Sequence, residues 1–571
     1  MSTTSSQQPE SQSAPIGAQS DLLQMLLDDQ QQLSAVEQFS QSHDLLEERE
    51  APDQKQYYES LLPTSPLEAG EQYAFQVDLS KCSGCKACVT ACHSLNGLDE
   101  TEAWRDVGLL HNETNAVDDL PIVQHVTTAC HHCLEPACMS GCPTDAYEKD
   151  PITGIVKHLD DQCFGCQYCT LTCPYGVPKY HESKGIVRKC DMCTQRLSNG
   201  EAPACVQSCP HEAIAITKVA VDDIQTAATN NDFLTTAPDP DYTKPTTQYL
   251  NRDRLPETIQ RADAYELVPE HAHLPLFSML TLIQFGIGGF ISTMAFPSEA
   301  IFEKVVIGSL SLVLTLTALA ASTFHLGRPF LFFRAVIGFR HSWLSREALV
   351  FGAYSGACQA YLGMLALPLL KPFGLPIVSD LELPAFMTTG AGLATAISGL
   401  LGVFCSMMIY AVTRRPFWSM SQTSFRFFTT TVLGMSSLGL LGISLLPLFD
   451  SPTSPFVMML FAGITVAVAV LKFVVETNFL KRAQTDNWES LDRSARILTT
   501  ALKQTVSYRF TLLTVCGMLL PLLAVGGGMI HSMLPVAFSA LCFSGLLVAE
   551  LIERFQFFAA VIAPKMPRGV R

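Results

Sequence analysis

Lysine and arginine are scarce in the front half of this 571-residue chain, and aspartate and glutamate are scarce in the back half. Residues 1–273 carry 17 basic against 41 acidic side chains, whereas residues 274–571 carry 20 against 12. So acidic a front argues against nucleic acid as a partner, because phosphate binding needs a basic face. The first twenty residues, MSTTSSQQPESQSAPIGAQS, lack a basic start, an apolar core and paired arginines, so no export signal is expected there. Without export, a disulfide framework is not expected either. Histidine is nearly missing from the apolar back half: only His325, His341 and His531 follow His273, all at the ends of apolar runs. Haem b is therefore not expected, since its usual axial ligands are histidines paired across facing helices.

What the chain has in quantity is cysteine. Sixteen of the twenty lie between Cys82 and Cys209, in four groups. Cys82, Cys85, Cys88 and Cys92 form a C-x2-C-x2-C-x3-C run, and Cys163, Cys166, Cys169 and Cys173 repeat it. Cys130, Cys133, Cys138 and Cys142 widen one gap, while Cys190, Cys193, Cys205 and Cys209 open a longer loop. Pro143, Pro174 and Pro210 follow the last cysteine of the second, third and fourth groups. This is the bacterial ferredoxin pattern, in which three close thiolates hold one [4Fe-4S] cluster and the fourth ligates another. Zinc is the rival, but zinc sites favour two CxxC pairs separated by a spacer. Crossing of the fourth ligand predicts that groups one and four pair, as do groups two and three. The other cysteines, Cys358, Cys405, Cys516 and Cys542, are scattered through apolar runs and read as small packing residues.

Four regions follow in order. Residues 1–70 are rich in Gln, Ser, Asp and Glu and read as a disordered acidic arm. Residues 71–219 read as a four-cluster ferredoxin-like domain, with strand-like pieces at Gln72–Leu79, Ile122–Val126 and Gly154–His158 leading into the first three groups. Residues 220–273 form a proline-containing linker. Residues 274–571 read as a membrane anchor of eight apolar stretches near the length that crosses a bilayer: 276–296, 305–324, 348–370, 384–412, 427–448, 456–475, 511–530 and 534–562. The fold class expected is an α+β double ferredoxin-like domain followed by an all-α transmembrane bundle of eight helices. Seventeen basic residues fall on the side shared with the cysteines, against Lys304 and Lys371 on the other. The positive-inside rule then puts the cysteines in the cytoplasm, at the inner membrane. Leu491, Ala495, Leu498 and Leu502 share one face of an amphipathic helix lying at that surface or against the soluble domain.

The run CFGCQYCTLTCPYGVPKY at 163–180, with KCDMC at 189–193 and CVQSCP at 205–210, resembles the electron-transfer subunit of the dimethyl sulfoxide reductase family of molybdenum enzymes. HLGRP at 325–329, LSRE at 344–347, RPFWSM at 415–420 and VAELIERFQFF at 548–558 resemble that family's membrane anchor. The resemblance covers about residues 72–565 and joins in one chain what the family usually divides between two. It implies four [4Fe-4S] clusters on the sixteen cysteines, a site for menaquinol or ubiquinol, and a separate catalytic subunit carrying molybdopterin guanine dinucleotide. The chain itself would pass electrons and hold the complex to the lipid bilayer, leaving the terminal substrate to its partner. The inward orientation departs from the best-known members, which place the cluster subunit outside.

Quinol oxidation needs a pocket, polar groups for the head and a base for two protons. His325 closes the second apolar run and Glu347 opens the third, on the side of the cysteines, and with Arg328 they are the candidate quinone-binding residues. Against this, His325 could cap a helix and Glu347 could pair with Arg328 or Arg346. Glu550 and Glu553, one turn apart beside Arg554, fit either a proton path or a buried ion pair. The same parts run in reverse would make a quinone-reducing sulfite dehydrogenase, or would serve a cytoplasmic nitrate reductase. A transporter with a regulatory iron-sulfur domain is the alternative of another class, though transporters usually show broken helices and charges at the midplane.

Overall fold

The computed structural model describes residues 58–112, 122–370, 383–449, 455–527 and 533–568, with a scatter of residues between 24 and 44. The acidic arm expected over 1–70 lies largely outside the described residues. From Tyr58, buried at 5% exposure, the chain packs against Phe75 and the cysteines.

Two small sheets and two hairpins frame the cysteine region. β1 (Glu71–Asp78), β2 (Asp106–His111), β3 (Val123–Thr128), β4 (Tyr147–Lys149), β5 (Val156–His158), β6 (Lys179–His181), β7 (Ile186–Arg188), β8 (Ile214–Ala220), β9 (Gln248–Leu250) and β10 (Gln260–Arg261) follow in order. The alternation of QYAFQVDL gives β1, which buries Ala74, Phe75 and Val77. β1 lies between β8, antiparallel with Glu71 opposite Ala220, and β9, parallel. Because β1 delivers the chain to Cys82 and β8 carries it away from Cys209, their pairing brings the first and fourth cysteine groups together. The β4–β5 hairpin does the same for the second and third groups. β10, β2 and β3 form the other sheet, so the linker adds strands to both sheets.

One turn recurs in all four groups. The residue before the second cysteine is left-handed each time: Gly84 (φ 75°), His132 (φ 41°), Gly165 (φ 75°) and Met192 (φ 62°). Glycine adopts this conformation freely, whereas His132 and Met192 carry its cost.

Among the described residues, eight helices are long and apolar enough to cross a membrane: α1 (Leu274–Thr293), α2 (Ile301–Phe324), α3 (Trp343–Leu370), α4 (Ala385–Ala411), α5 (Met420–Leu448), α6 (Pro455–Gln484), α7 (Lys503–Gly527) and α8 (Met533–Ala559). α7 contains a π turn at Val515–Leu519. α1 and α5 form the centre and are mostly buried, while α3 and α6 bury only a minor part of their surface and turn the rest outward as a lipid face would. A separate amphipathic helix, Ser490–Thr499, packs Ile497 and Leu498 into the apolar core that also holds Trp418 and Phe557.

The soluble part sits on the α2–α3 loop. Arg328 donates from its backbone N to Phe164 O (3.0 Å) and from Nη1 to Asp160 O (2.9 Å), Arg334 Nη1 donates to Asp161 O (2.8 Å), and Ser342 Oγ donates to Gly141 O (2.7 Å). Backbones touch where Gly327 meets Gly185 and Gly165: a Cβ on Gly327 would lie 2.1 Å from Gly185 O. Gly327→Ala is therefore expected to loosen this junction by about 1–3 kcal/mol, the usual cost of overpacking. Faster limited proteolysis of the soluble part in membranes would report it. Unchanged proteolysis would mean that the loop yields freely. The C-terminal tail returns across the same junction, with Leu109 N donating to Arg568 O (3.2 Å), Arg261 Nη1 donating to Lys565 O (2.7 Å), and Met566 buried.

Candidate functional site

The sixteen thiols gather into four sets, each joining three cysteines of one group to one of its paired group. Cys82 lies within the electrostatic reach of Cys85 and Cys209, and Cys88 within that of Cys209. Cys92 is coupled in the same way to Cys205 and Cys193, and Cys190 to Cys92 and Cys193. Cys138 faces Cys173, Cys130 and Cys133, while Cys169 faces Cys166, Cys142 and Cys163. The sets are thus Cys82/85/88/209, Cys92/190/193/205, Cys130/133/138/173 and Cys142/163/166/169. Electrostatic neighbours across the sets put them in that order: Cys88 senses Cys205, Cys190 senses Cys130, and Tyr147 senses both Cys138 and Cys142. Cys85 is exposed at one end of the line, and Cys166 abuts the membrane helices at the other.

The donor chemistry fits [4Fe-4S] groups. All sixteen are free cysteines. Burial pushes most of their thiols up, Cys193 to about 12; bound metal, which deprotonates a coordinating thiol, would supply the ionised form. At Cys163 burial opposes ionisation, but the hydrogen bond and charge of His158 bring its thiol down. Two buried polar atoms without partners among the described residues, Arg105 Nε and Nη2, lie beside these thiols.

Beyond Cys166 lies a cavity of about 300 Å³ between the soluble part and helices α1–α4. His325, Glu347, Tyr168, Tyr410 and Cys166 line it among mostly apolar side chains. His325 ends α2 with Nδ1 buried and unpartnered among the described residues; burial, then the nearby His273, lowers the pKa of its imidazole and keeps it neutral. Glu347, 4% exposed in the first turn or so of α3, accepts a short hydrogen bond from Ser406 Oγ on α4. Tyr168 OH donates to Ile409 O (2.9 Å), which spans the gap between a cysteine-bearing turn and α4. Arg328 is not among the lining residues; its guanidinium holds the carbonyls of Asp160 and Cys163. The structure therefore brings together two of the three candidate quinone residues and sets the third on the docking interface.

A second polar centre lies inside the bundle. Glu550 receives hydrogen bonds from Lys472 Nζ (2.5 Å) and Thr430, with Arg509 at 3.8 Å. Glu553 is flanked by Arg426 (3.3 Å) and Arg554 (3.5 Å), and Glu476 pairs with Arg509. Arg554 also donates to Gln284 (3.0 Å). The Glu550/Glu553/Arg554 cluster expected from sequence is thus one part of a network drawing on α1, α5, α6, α7 and α8.

Comparisons with known proteins follow this division. Residues 122–219 match the family described as 4Fe-4S dicluster domain, and residues 270–560 match that described as DMSO reductase anchor subunit (DmsC). The B subunit of the anaerobic dimethyl sulfoxide reductase of Escherichia coli (strain K12) is 39% identical over 148 residues, covering 25% of this chain and 72% of that protein. The same subunit from Haemophilus influenzae is 33% identical over 181 residues, covering 31% and 87%. Hydrogenase-2 operon protein HybA of Escherichia coli O157:H7 is 36% identical over 160 residues, covering 24% and 49%.

Proposed function

Starting from a chain that belongs to the DMSO reductase anchor subunit (DmsC) family and carries a 4Fe-4S dicluster domain ahead of the anchor, we propose that it passes electrons from membrane quinol, through four [4Fe-4S] clusters, to a separate molybdopterin subunit. It is a multi-pass membrane protein of iron-sulfur electron transfer, with the parts of two subunits in one polypeptide. The observation that carries the reading is the shared lining of one cavity by His325, Glu347 and Cys166.

When bound, the clusters supply one-electron carriers whose potentials the surrounding protein sets. The chain's own residues do the rest. Apolar walls from Phe164, Leu276, Met279 and Phe351 receive a quinol ring and exclude water. Glu347, held by Ser406, accepts one hydroxyl proton, and neutral His325 accepts the other. Tyr168 fixes the gap between the ring and Cys166. Menaquinol and ubiquinol both suit this lining, and the catalytic partner would carry molybdopterin guanine dinucleotide.

The cysteines face the cytoplasm in this reading. Arg426, Arg509 and Arg554, three of the seventeen basic residues that the sequence assigns to the cysteine side, are buried in the bundle network; the fourteen left in that assignment still outnumber the two assigned to the other side. Protons leaving the pocket then return to the cytoplasm and build no gradient. Sealed inverted vesicles fed a quinol and an electron acceptor should acidify the outer medium during turnover; acidification of the lumen would overturn the orientation.

A further inference from the structure

Two cations are buried among the thiols, where desolvation makes a charge expensive unless something of opposite sign faces it. Arg105, between the first cysteine group and β2, is 2% exposed. Its Nη1 donates to Thr127 Oγ1 at 3.1 Å, and that hydroxyl lies 3.6 Å from Cys88 Sγ. Its guanidinium carbon stands 4.6 Å over the Phe75 ring, and its Nε and Nη2 have no partner among the described residues. The thiols within its reach, Cys88, Cys92, Cys190 and Cys205, come from both the Cys82/85/88/209 and the Cys92/190/193/205 sets.

Lys189, 3% exposed, occupies the next junction. Its Nζ is 3.6 Å from Cys130 Sγ, donates to Cys190 O (2.8 Å), and also bonds Val156 O. It faces Cys130, Cys138 and Cys190, and so stands between the second and third sets. At the junction nearest the membrane the buried group is Tyr147, a neutral phenol facing Cys138, Cys142 and Cys169. His158 approaches Cys163 there but is paired with Asp160 at 2.8 Å. Arg328 also reaches this set, 3.3 Å from Cys163 O, but it is only half-buried at the docking interface, where solvent screens its charge. Among the described residues, fully buried fixed positive charge therefore accumulates along the three sets farther from the pocket.

We propose that Arg105 and Lys189 are built-in counter-charges that hold an electron at the sets remote from the membrane, biasing the chain toward outward flow from the quinol pocket. The inference rests on the four-cluster reading and adds a direction to it. A cluster that gains one electron gains one negative charge, with no bond made or broken. A buried cation beside it stabilises that state far more than it would in water.

The test is an anaerobic potentiometric titration of the loaded full-length chain, followed by electron paramagnetic resonance, for the unaltered protein and for R105Q, R105K, K189Q and K189R. Each neutral variant should lower the midpoint of the clusters it faces by at least a tenfold change in electron affinity, about 59 mV for one electron. R105K and K189R, which keep the charge, should titrate close to the parent. In the unaltered chain, the signal perturbed when a non-reducible quinone analogue fills the pocket should be the last to be reduced. Fully loaded neutral variants with unmoved midpoints would overturn the proposal, as would a pocket-coupled cluster that is reduced first. If the neutral variants fail to load, the order in the unaltered chain decides the matter. A parent holding far fewer than about sixteen iron atoms would instead count against the four-cluster reading.

Discussion

Glu347→Gln is expected to slow quinol-driven electron transfer by about 10²–10⁴-fold, the usual worth of a positioned proton acceptor, with iron and sulfide content unchanged. The substitution is close to isosteric and keeps an oxygen for Ser406 Oγ, so the α3–α4 contact survives. What it removes is the ability to take a proton at a wall of the cavity that Cys166 and His325 also line. Ser406→Ala leaves the carboxylate but frees its orientation, and should cost less. Quinol oxidation in membranes, measured with an artificial acceptor, separates the two variants. E347Q turning over at the parental rate would take the carboxylate out of the chemistry.

Glu550→Ala is the substitution expected to damage the fold most, by about 3–5 kcal/mol, because it strands buried cations without their counter-charge. Lys472 is fully buried and 2.5 Å from this carboxylate, with Arg509 at 3.8 Å. Replacing both members, as in Lys472→Met with Glu550→Leu, removes the pair together and leaves Arg509 with Glu476. The double variant should regain most of the stability lost in the single one. Thermal unfolding in detergent would show this, and equal losses in single and double variants would mean that the pair is not the unit that matters.

The features most legible in the sequence are those fixed by covalent spacing or by span length. Cluster ligation demands close cysteines with one crossing over, and the structure pairs group one with four and two with three through β1–β8 and the β4–β5 hairpin. The eight apolar runs became the eight helices because crossing a bilayer needs a fixed length. Their starts were less legible. α3, α5 and α7 begin at Trp343, Met420 and Lys503, before the apolar runs at 348, 427 and 511, since a helix continues past its lipid-facing part wherever protein covers it. That extra length carries Arg426 and Arg509 into the bundle. Lys472 and Glu476 had a readable signal, a charged pair one turn apart within LKFVVETNFL. Arg105 and Lys189 had none, because a lone basic residue beside a cysteine group looks the same in sequence whether it faces solvent or thiols. Likewise Ser406 joined Glu347 only through the packing of α3 on α4.

The central claim, that one polypeptide holds both a quinol pocket and the electron carriers it feeds, is tested most directly with the purified, oxidised, iron-loaded chain and no catalytic partner. Mixed anaerobically with quinol, it should lose its iron-sulfur absorbance on the time scale of turnover. Absorbance that persists with quinol in excess, yet disappears on adding dithionite, would contradict the account.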